Sequence, residues 1–385
     1  MFALENGPRV LSLYEGFFAG GARILHTAVV RSLDATTAQR HSVLSLSNRV
    51  DREFTAQAIE DDTCYRRLVT AGVPVRALDR RAGAPLRVAD LAIVEQAVRA
   101  TDVVLALKEQ PLAPLTVTGT GGSPLITCLH RSDPENSGPA LDALVSLHEQ
   151  GVLTAAVCCS QATRATYHAA TGLPLAKLPV IPNGVDLHRF RPDGEARAQV
   201  RAELGIAPDA PVVLLAARFD EMKDVPLFLR AARLFLREHP DAHFVLCGAG
   251  MTTRNPALTR LVRHRLTGRV HPLGIRRRMA RIYNAADLVA LTSSYGEAAP
   301  LCLLEGMATG AVPVTTDVGD AALLVGDDRL VTGHRPAEVA AAWVAAHADR
   351  DEHHARIARH RQRLSEQRCF DGYAALIDAV APVTA

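Results

Sequence analysis

Lysine is nearly missing from this 385-residue chain: Lys108, Lys177 and Lys223 stand among 43 basic residues, and arginine supplies the rest. With alanine and valine also abundant, the imbalance reflects coding bias and points to no function. Net charge is small as well, since 41 acidic residues leave a formal +2. A nucleic-acid binder working through a broad cationic field is therefore disfavoured, leaving only local basic patches. No Cys-X-X-Cys pair or metal-ligand spacing occurs among the seven cysteines, which excludes a zinc ribbon and disfavours a disulfide framework. Most of them sit inside apolar runs, as in Val157 to Cys159, where a reduced thiol packs as a small hydrophobe. A reducing cytoplasm is the expected compartment. No apolar run reaches eighteen residues, so no membrane-spanning helix is expected. Glu5 and Arg9 interrupt the start before any apolar core, so no secretory leader is read there.

With 48% hydrophobic residues, the chain can bury a sizeable core in each of two or three domains. Short apolar runs alternate with turns and amphipathic stretches, a pattern that predicts α/β architecture with parallel sheets. Strands are expected at Val10–Tyr14, His41–Leu46, Val73–Leu78, Asp102–Ala106, Leu125–Leu129, Ala155–Ser160 and Leu178–Ile181. The intervening helices are expected at Arg23–Leu33, Gln57–Ala71, Val88–Ala100, Leu141–Gln150 and Gln161–Ala170. A second series has strands at Val212–Ala217, His243–Cys247, Val270–Leu273, Leu288–Thr292, Val312–Thr315 and Arg329–Val331. Its helices fall at Val225–Glu238, Pro256–Leu266, Arg277–Asn284, Pro300–Ala308 and Pro336–His347. About a dozen strands exceed what one twisted open sheet usually holds. The proline-rich connector Leu178–Pro192, with its Asn183-Gly184 pair, therefore reads as a domain boundary. The expected division is residues 1–182, residues 183–368, and a helical tail 369–385 packing back on the first domain.

The most informative segment is Asp287–Asp320, read as strand, loop, helix, strand, loop. Glu297 falls at the carboxyl end of a strand, where open α/β sheets bind ligands. Pro300 suits the first turn of the next helix, whose free N–H groups at Leu301 and Cys302 form a potential anion site. Glu305 lies further along that helix, and two carboxylates at this spacing can accept hydrogen bonds from vicinal hydroxyls. On spacing alone, Glu297 as a helix cap and Glu305 as a solvent-facing residue is an equal reading.

Glu297, seven intervening residues and Glu305, followed by Gly306-Met-Ala-Thr-Gly-Ala-Val-Pro-Val-Thr-Thr-Asp-Val-Gly319, resembles the nucleotide-sugar motif of the family 4 glycosyltransferases. These are retaining enzymes of GT-B fold, with two Rossmann-like domains facing a central cleft. Val180-Ile-Pro-Asn-Gly-Val-Asp-Leu-His-Arg-Phe190 is similar to the family's interdomain connector. Arg218 with Lys223 is similar to its diphosphate-binding pair, and Gly20-Gly21 to its amino-terminal glycine loop. The resemblance covers nearly the whole second half and a few points of the first. It implies that Arg218 and Lys223 stabilise the departing diphosphate, while Glu297 holds the donor sugar. Glu305 would hold the ribose. Ala299, Leu301 and Cys302 would line the same pocket, peptide groups around Ile275 and Arg276 would read the base, and His130 would face the donor sugar. An ordinary surface ion pair, Arg218 with Asp220 or Lys223 with Glu221, is the competing reading of the two cations. Where the family often carries Glu two positions after the glycine pair, this chain has Arg23, whose role the resemblance leaves open.

The resemblance implies a nucleotide-sugar donor, UDP-linked by expectation, and a small hydroxylated acceptor, with no metal or other cofactor. Asp349-Arg-Asp351 matches a metal motif but lies in a charged tail, and Thr118-Gly-Thr-Gly-Gly122 precedes an apolar strand instead of following one. The arginine runs 276–281 and 359–368, and His353, His354 and His360, read as solvated helix faces, with membrane contact a minority reading. The opening Leu11–Thr27 is similar to transferases of aminoglycoside antibiotic biosynthesis, which implies an aminocyclitol or pseudodisaccharide acceptor. Such a polycation wants carboxylates in its cleft, and Glu15, Glu109, Asp133 and Glu135 are the candidates. A transferase of cell-surface polysaccharide or glycolipid, and a non-hydrolysing nucleotide-sugar epimerase of the same architecture, are the alternatives.

Overall fold

The computed structural model describes residues 7–18, 20–52 and 55–382, with the backbone alone at 51, 52, 55, 56 and 264. Ala19, within the glycine loop, and the first six residues lie outside that range. The chain divides into two units, Met1–Asn183 with Gln367–Ala385, and Gly184–Glu366.

In the first unit the strands are β1 (Arg9–Tyr14), β2 (Arg40–Ser45), β3 (Arg49–Arg52), β4 (Thr55–Ala58), β5 (Val75–Ala77), β6 (Val103–Leu107), β7 (Leu125–Leu129) and β8 (Leu153–Cys158). Six of them form a sheet in the order β5-β2-β1-β6-β7-β8, every pairing parallel. β6 and β7 are buried along their whole length, as strands covered by helices on both faces must be. The helix Gln367–Val380 closes one face. Its Cys369, Phe370, Tyr373 and Ile377 are buried against Val10, Val103 and Ile126, and Asp378 accepts a hydrogen bond from Gln39 at 2.8 Å.

In the second unit the strands are β9 (Val212–Ala216), β10 (His243–Cys247), β11 (Val270–Gly274), β12 (Leu288–Leu291), β13 (Val312–Thr316) and β14 (Val331–Thr332). They form a parallel sheet in the order β11-β10-β9-β12-β13-β14. Phe228, Phe235 and Phe244 surround the fully buried Trp343 in its core. Both sheets therefore run outward from their first strand and then resume on its other side. The reversal falls between β1 and β6 in one unit and between β9 and β12 in the other. At such a point successive connections leave toward opposite faces, and a crevice opens at the carboxyl ends of the strands.

Several expectations are corrected. Residues 57–71 do not form one helix: β4 and β3 make an antiparallel hairpin, and a helix runs only over Thr63–Thr70. Asp62 starts that helix by accepting hydrogen bonds from the N–H groups of Cys64 and Tyr65, ending any helix continued from upstream. Leu178–Ile181 makes a single bridge, Val180 to Cys158, flanked by prolines that cannot extend a ladder. Pro300 is the cap residue of the helix Leu301–Ala308, in extended conformation, and not part of its first turn. His353 is 2% exposed, packed 3.7 Å from Asp327, and is no solvated histidine. A helix over Gly194–Glu203, capped by Asp193, occupies a stretch whose polar composition gave no apolar stripe. All seven cysteines are free. Among the described residues no helix is long and apolar enough to cross a membrane.

Candidate functional site

The crevice of the second unit begins at the loop after β9. Arg218 follows the strand, and Lys223 stands on the approach to the helix Val225–Glu238. This loop is stitched to the end of β12: Thr292 donates to the Lys223 carbonyl at 3.0 Å, and the Ser294 N–H donates to that of Met222 at 2.8 Å. Asp224 turns the chain at φ 39 and caps the helix by accepting from the Leu227 N–H at 2.9 Å. The chain is thereby forced to aim the Lys223 side chain back across the crevice.

What Lys223 meets there is Glu297. The ammonium pairs with the Glu297 carboxylate, and Ser293 donates to the same carboxylate oxygen at 2.6 Å. Lys223 is 15% exposed and Glu297 9%, so the pair is largely withdrawn from water, unlike an exposed pair of small net worth. Glu297 sits on a turn held from behind by Gly319. At φ 58, Gly319 lets its backbone approach so closely that a Cβ there would lie 2.1 Å from the Glu297 carbonyl oxygen. Next to it the Asp320 N–H donates to the Ala298 carbonyl at 2.8 Å.

Arg218 is placed otherwise. It pairs with Asp220 at 2.9 Å, with its side chain 63% exposed. Asp220 also accepts from the Lys223 N–H at 3.1 Å, so one carboxylate ties both cation-bearing residues to the same loop. Of the two surface ion pairs that compete as a reading, the Arg218–Asp220 contact is present, whereas Lys223 turns to Glu297. An exposed guanidinium held by one carboxylate keeps donor groups facing outward, available to an anion.

The helix Leu301–Ala308 opens at the same crevice, with Leu301 and Cys302 half-buried in its first turn and Ala299 buried just before it. N–H groups of a first helical turn have no carbonyl within the helix to donate to. Gly306 sets the helix down on β12: a Cβ there would meet Val289 at 2.5 Å. Glu305, the residue before it, is half-buried beside Tyr283. Burial pushes its carboxyl up to about 7, opposed by the Tyr283 hydrogen bond and the field of Arg189. Ile275 is 70% exposed just beyond β11, and Arg276 donates to its carbonyl at 3.3 Å.

The reversal of the first unit gathers a second set. Gly20 is the extended cap residue of the helix Gly21–Thr36, with open space where a Cβ would stand. Arg23, one turn on, is buried. Its guanidinium lies 4.0 Å over the Phe18 ring and donates to the Phe18 carbonyl at 2.9 Å, gripping the loop from beneath. The Nε of Arg23 and the Nε2 atoms of His26 and His130 are buried with no hydrogen-bond partner among the described residues. His130 follows β7, and burial, helped by Lys108, lowers its pKa to about 3, so the imidazole is neutral at any physiological pH. The four carboxylates expected around an acceptor differ sharply. Glu109 is buried and accepts from Ser137 at 3.0 Å, while Asp133 is clasped by Arg131 at 2.9 Å and by Asn136 at 2.9 Å. Glu15 is half-buried, and Glu135 exposed.

Ser293, Tyr283 and Arg189 escaped the sequence reading. Ser293 alone left a signal, standing four residues before Glu297 in the same strand-end loop.

Two doubly wound units of this kind define a GT-B fold, that of the solved Anabaena HepE in complex with UDP. That structure superposes with a TM-score of 0.81 at 20% identity over 96% of this chain and 100% of its own, and the same protein with UDP-glucose gives 0.79. Residues 210–349 match the family described as Glycosyl transferases group 1. Among curated proteins, the chain is 36% identical over 186 residues to the D-inositol 3-phosphate glycosyltransferase of Nocardia farcinica, covering 46% of this chain and 41% of that protein. It is 34% identical over 229 residues to the one from Xylanimonas cellulosilytica, covering 55% and 53%. The chain thus spans about half the length of the curated relatives it matches.

Proposed function

We propose that this chain is a retaining glycosyltransferase that moves a sugar from a UDP-sugar to a cyclitol, without a metal ion. The reading rests chiefly on the buried Lys223–Glu297–Ser293 cluster at the reversal of the second sheet, with Arg218 on the same loop. A diphosphate leaving group gathers negative charge as its bond to the anomeric carbon breaks. Lys223, Arg218 and the first turn of the helix Leu301–Ala308 supply fixed positive potential for it. On diphosphate binding Lys223 is shared between Glu297 and the phosphates, leaving Glu297 oriented to accept from hydroxyls of the donor sugar. Glu305 accepts from the ribose in its ionised form, and in the first unit neutral His130 offers Nε2 to a ligand hydroxyl. The acceptor oxygen forms the new bond to the anomeric carbon on the face from which the diphosphate departs. The acceptor's proton passes to the departing phosphate oxygen, so neither an enzymic nucleophile nor a protein base is required.

Cyclitol is the acceptor class shared by the inositol phosphate of the curated relatives and the aminocyclitol that the opening segment implies. Within that class the engagement of Glu109 and Asp133 favours a neutral or anionic cyclitol over a polycationic one, because two of four carboxylates are already committed. The test is product analysis. UDP-glucose and other UDP-sugars are incubated with inositol 3-phosphate or a diaminocyclitol, and the anomeric configuration of any product is read by NMR. Transfer with retention supports the reading. Inversion refutes it, as does epimerisation of the donor without acceptor. Turnover only with a lipid or polysaccharide acceptor would replace the cyclitol.

A further inference from the structure

The amino ends of the first sheet, remote from the carboxyl-end crevice, carry a cavity of about 400 Å³, within the range of small-molecule sites. Its origin lies in the side chains that one sheet face presents beneath the helix Val88–Arg99. In register, Arg9 stands beside Arg40, Leu11 beside Ser42, and Leu44 beside Arg76, so all six project from the same face. Deeper on that face Leu13 and Leu46 pack with Val94 and Val98 of the helix and close the seam. Nearer the amino ends the helix and its cap offer Gln96 and the small Ala97 and Ala100, and the sheet offers Ser42, so the seam stays open. Ile93, on the cavity wall, is left 45% exposed.

The charged side chains that line the opening are arginines, with Asp102 behind Arg9. Arg9, Arg40 and Arg76 line it, and among the described residues no carboxylate does. Arg9 is held by Asp102 at 2.9 Å, whereas Arg76 is exposed. An apolar floor under a rim of arginines fits a ligand with an apolar body and an anionic end.

We propose that this cavity binds a small organic anion with an apolar body, a medium-chain or aromatic carboxylate, its headgroup on Arg40 and Arg76 and its body against Leu11, Ile93 and Ala97. The site is independent of the transferase reading and is tested by binding alone. Octanoate and 1-octanol are titrated calorimetrically into the full chain, into Arg76→Glu and into the cavity-filling Ala97→Phe, with melting temperature as the check on folding. Octanoate is expected to bind one-to-one. 1-Octanol should bind about tenfold more weakly or worse, and Arg76→Glu should cost octanoate a similar factor, the scale of one charge-assisted contact. Absence of saturable octanoate binding, equal binding of the alcohol, or indifference to Arg76→Glu would each overturn the proposal. Phosphatidylglycerol vesicles provide a further arm. Vesicle binding sensitive to Arg76→Glu without binding of free octanoate would also overturn it, making this face a membrane contact.

Discussion

Replacing Lys223 with Met separates a structural ion pair from a working one. The substitution deprives the Glu297 carboxylate, its side chain 9% exposed, of its cation and leaves the Ser293 hydrogen bond in place. Removing one partner of a buried pair costs about 3–5 kcal/mol, because the surviving charge keeps its desolvation penalty. With Lys223 15% exposed, the lower end applies, about 3 kcal/mol. For a unit of this size each kcal/mol shifts melting by about 2–4 °C, so the loss should be roughly 6–12 °C. Adding Glu297→Gln removes the stranded charge, and the double variant should regain at least half of the lost stability. Transfer should not return with it, staying ~10²–10³-fold down, the scale of losing a preorganised charge-stabilising donor. Differential scanning calorimetry and turnover on a UDP-sugar read the two quantities separately. A Lys223→Met protein melting within a degree of the parent would refute the buried-pair argument. A double variant that regains both stability and turnover would refute the catalytic one.

Because burial raises the Glu305 carboxyl from 4.5 to about 7, the folded chain holds that proton more tightly than the unfolded one. This contribution to stability is therefore greatest below pH 4.5 and is lost as pH climbs toward 7, whereas UDP affinity should climb over the same rise as the carboxylate ionises. A UDP dissociation constant flat from about pH 6 to about pH 8, or one unchanged in Glu305→Gln, would contradict this. Gly319→Ala places a methyl group against the Glu297 carbonyl at an unfavourable φ. It should cost more than about 2 kcal/mol and depress transfer, measured by denaturant melts and turnover. Arg23→Ala releases the Phe18 carbonyl and ring. It should cost about 1–3 kcal/mol and raise KM more than it lowers kcat, and an unchanged KM would remove Arg23 from the positioning of the glycine loop.

Much of the fold was legible because parallel strands buried on both faces are continuous apolar runs, and those runs survive in sequence. Leu125–Leu129, His243–Cys247 and the helix Val225–Glu238 stand where the pattern put them. What failed were features set by single side chains or by pairing. The β3–β4 hairpin is short and polar, and the Asp62 cap divides what reads as one amphipathic stretch. His353 looks solvated on a charged helix until Asp327 and its arginines close around it. At the site, the strand-end position of Glu297 and the family resemblance already carried Glu297 and Lys223 as candidates. Their meeting across 74 residues of chain, and the recruitment of Ser293 and Tyr283, come from the reversal of strand order, which no local pattern records.

Calorimetric titration of UDP and of uridine into the parent and into an Arg218→Ala/Lys223→Ala variant tests most directly whether that reversal holds a nucleoside diphosphate. The parent should bind UDP one-to-one, and the variant should lose about a hundredfold or more in UDP affinity while its weak uridine affinity is unchanged. UDP binding that is absent from the parent, or equally strong in the variant, would contradict the assignment.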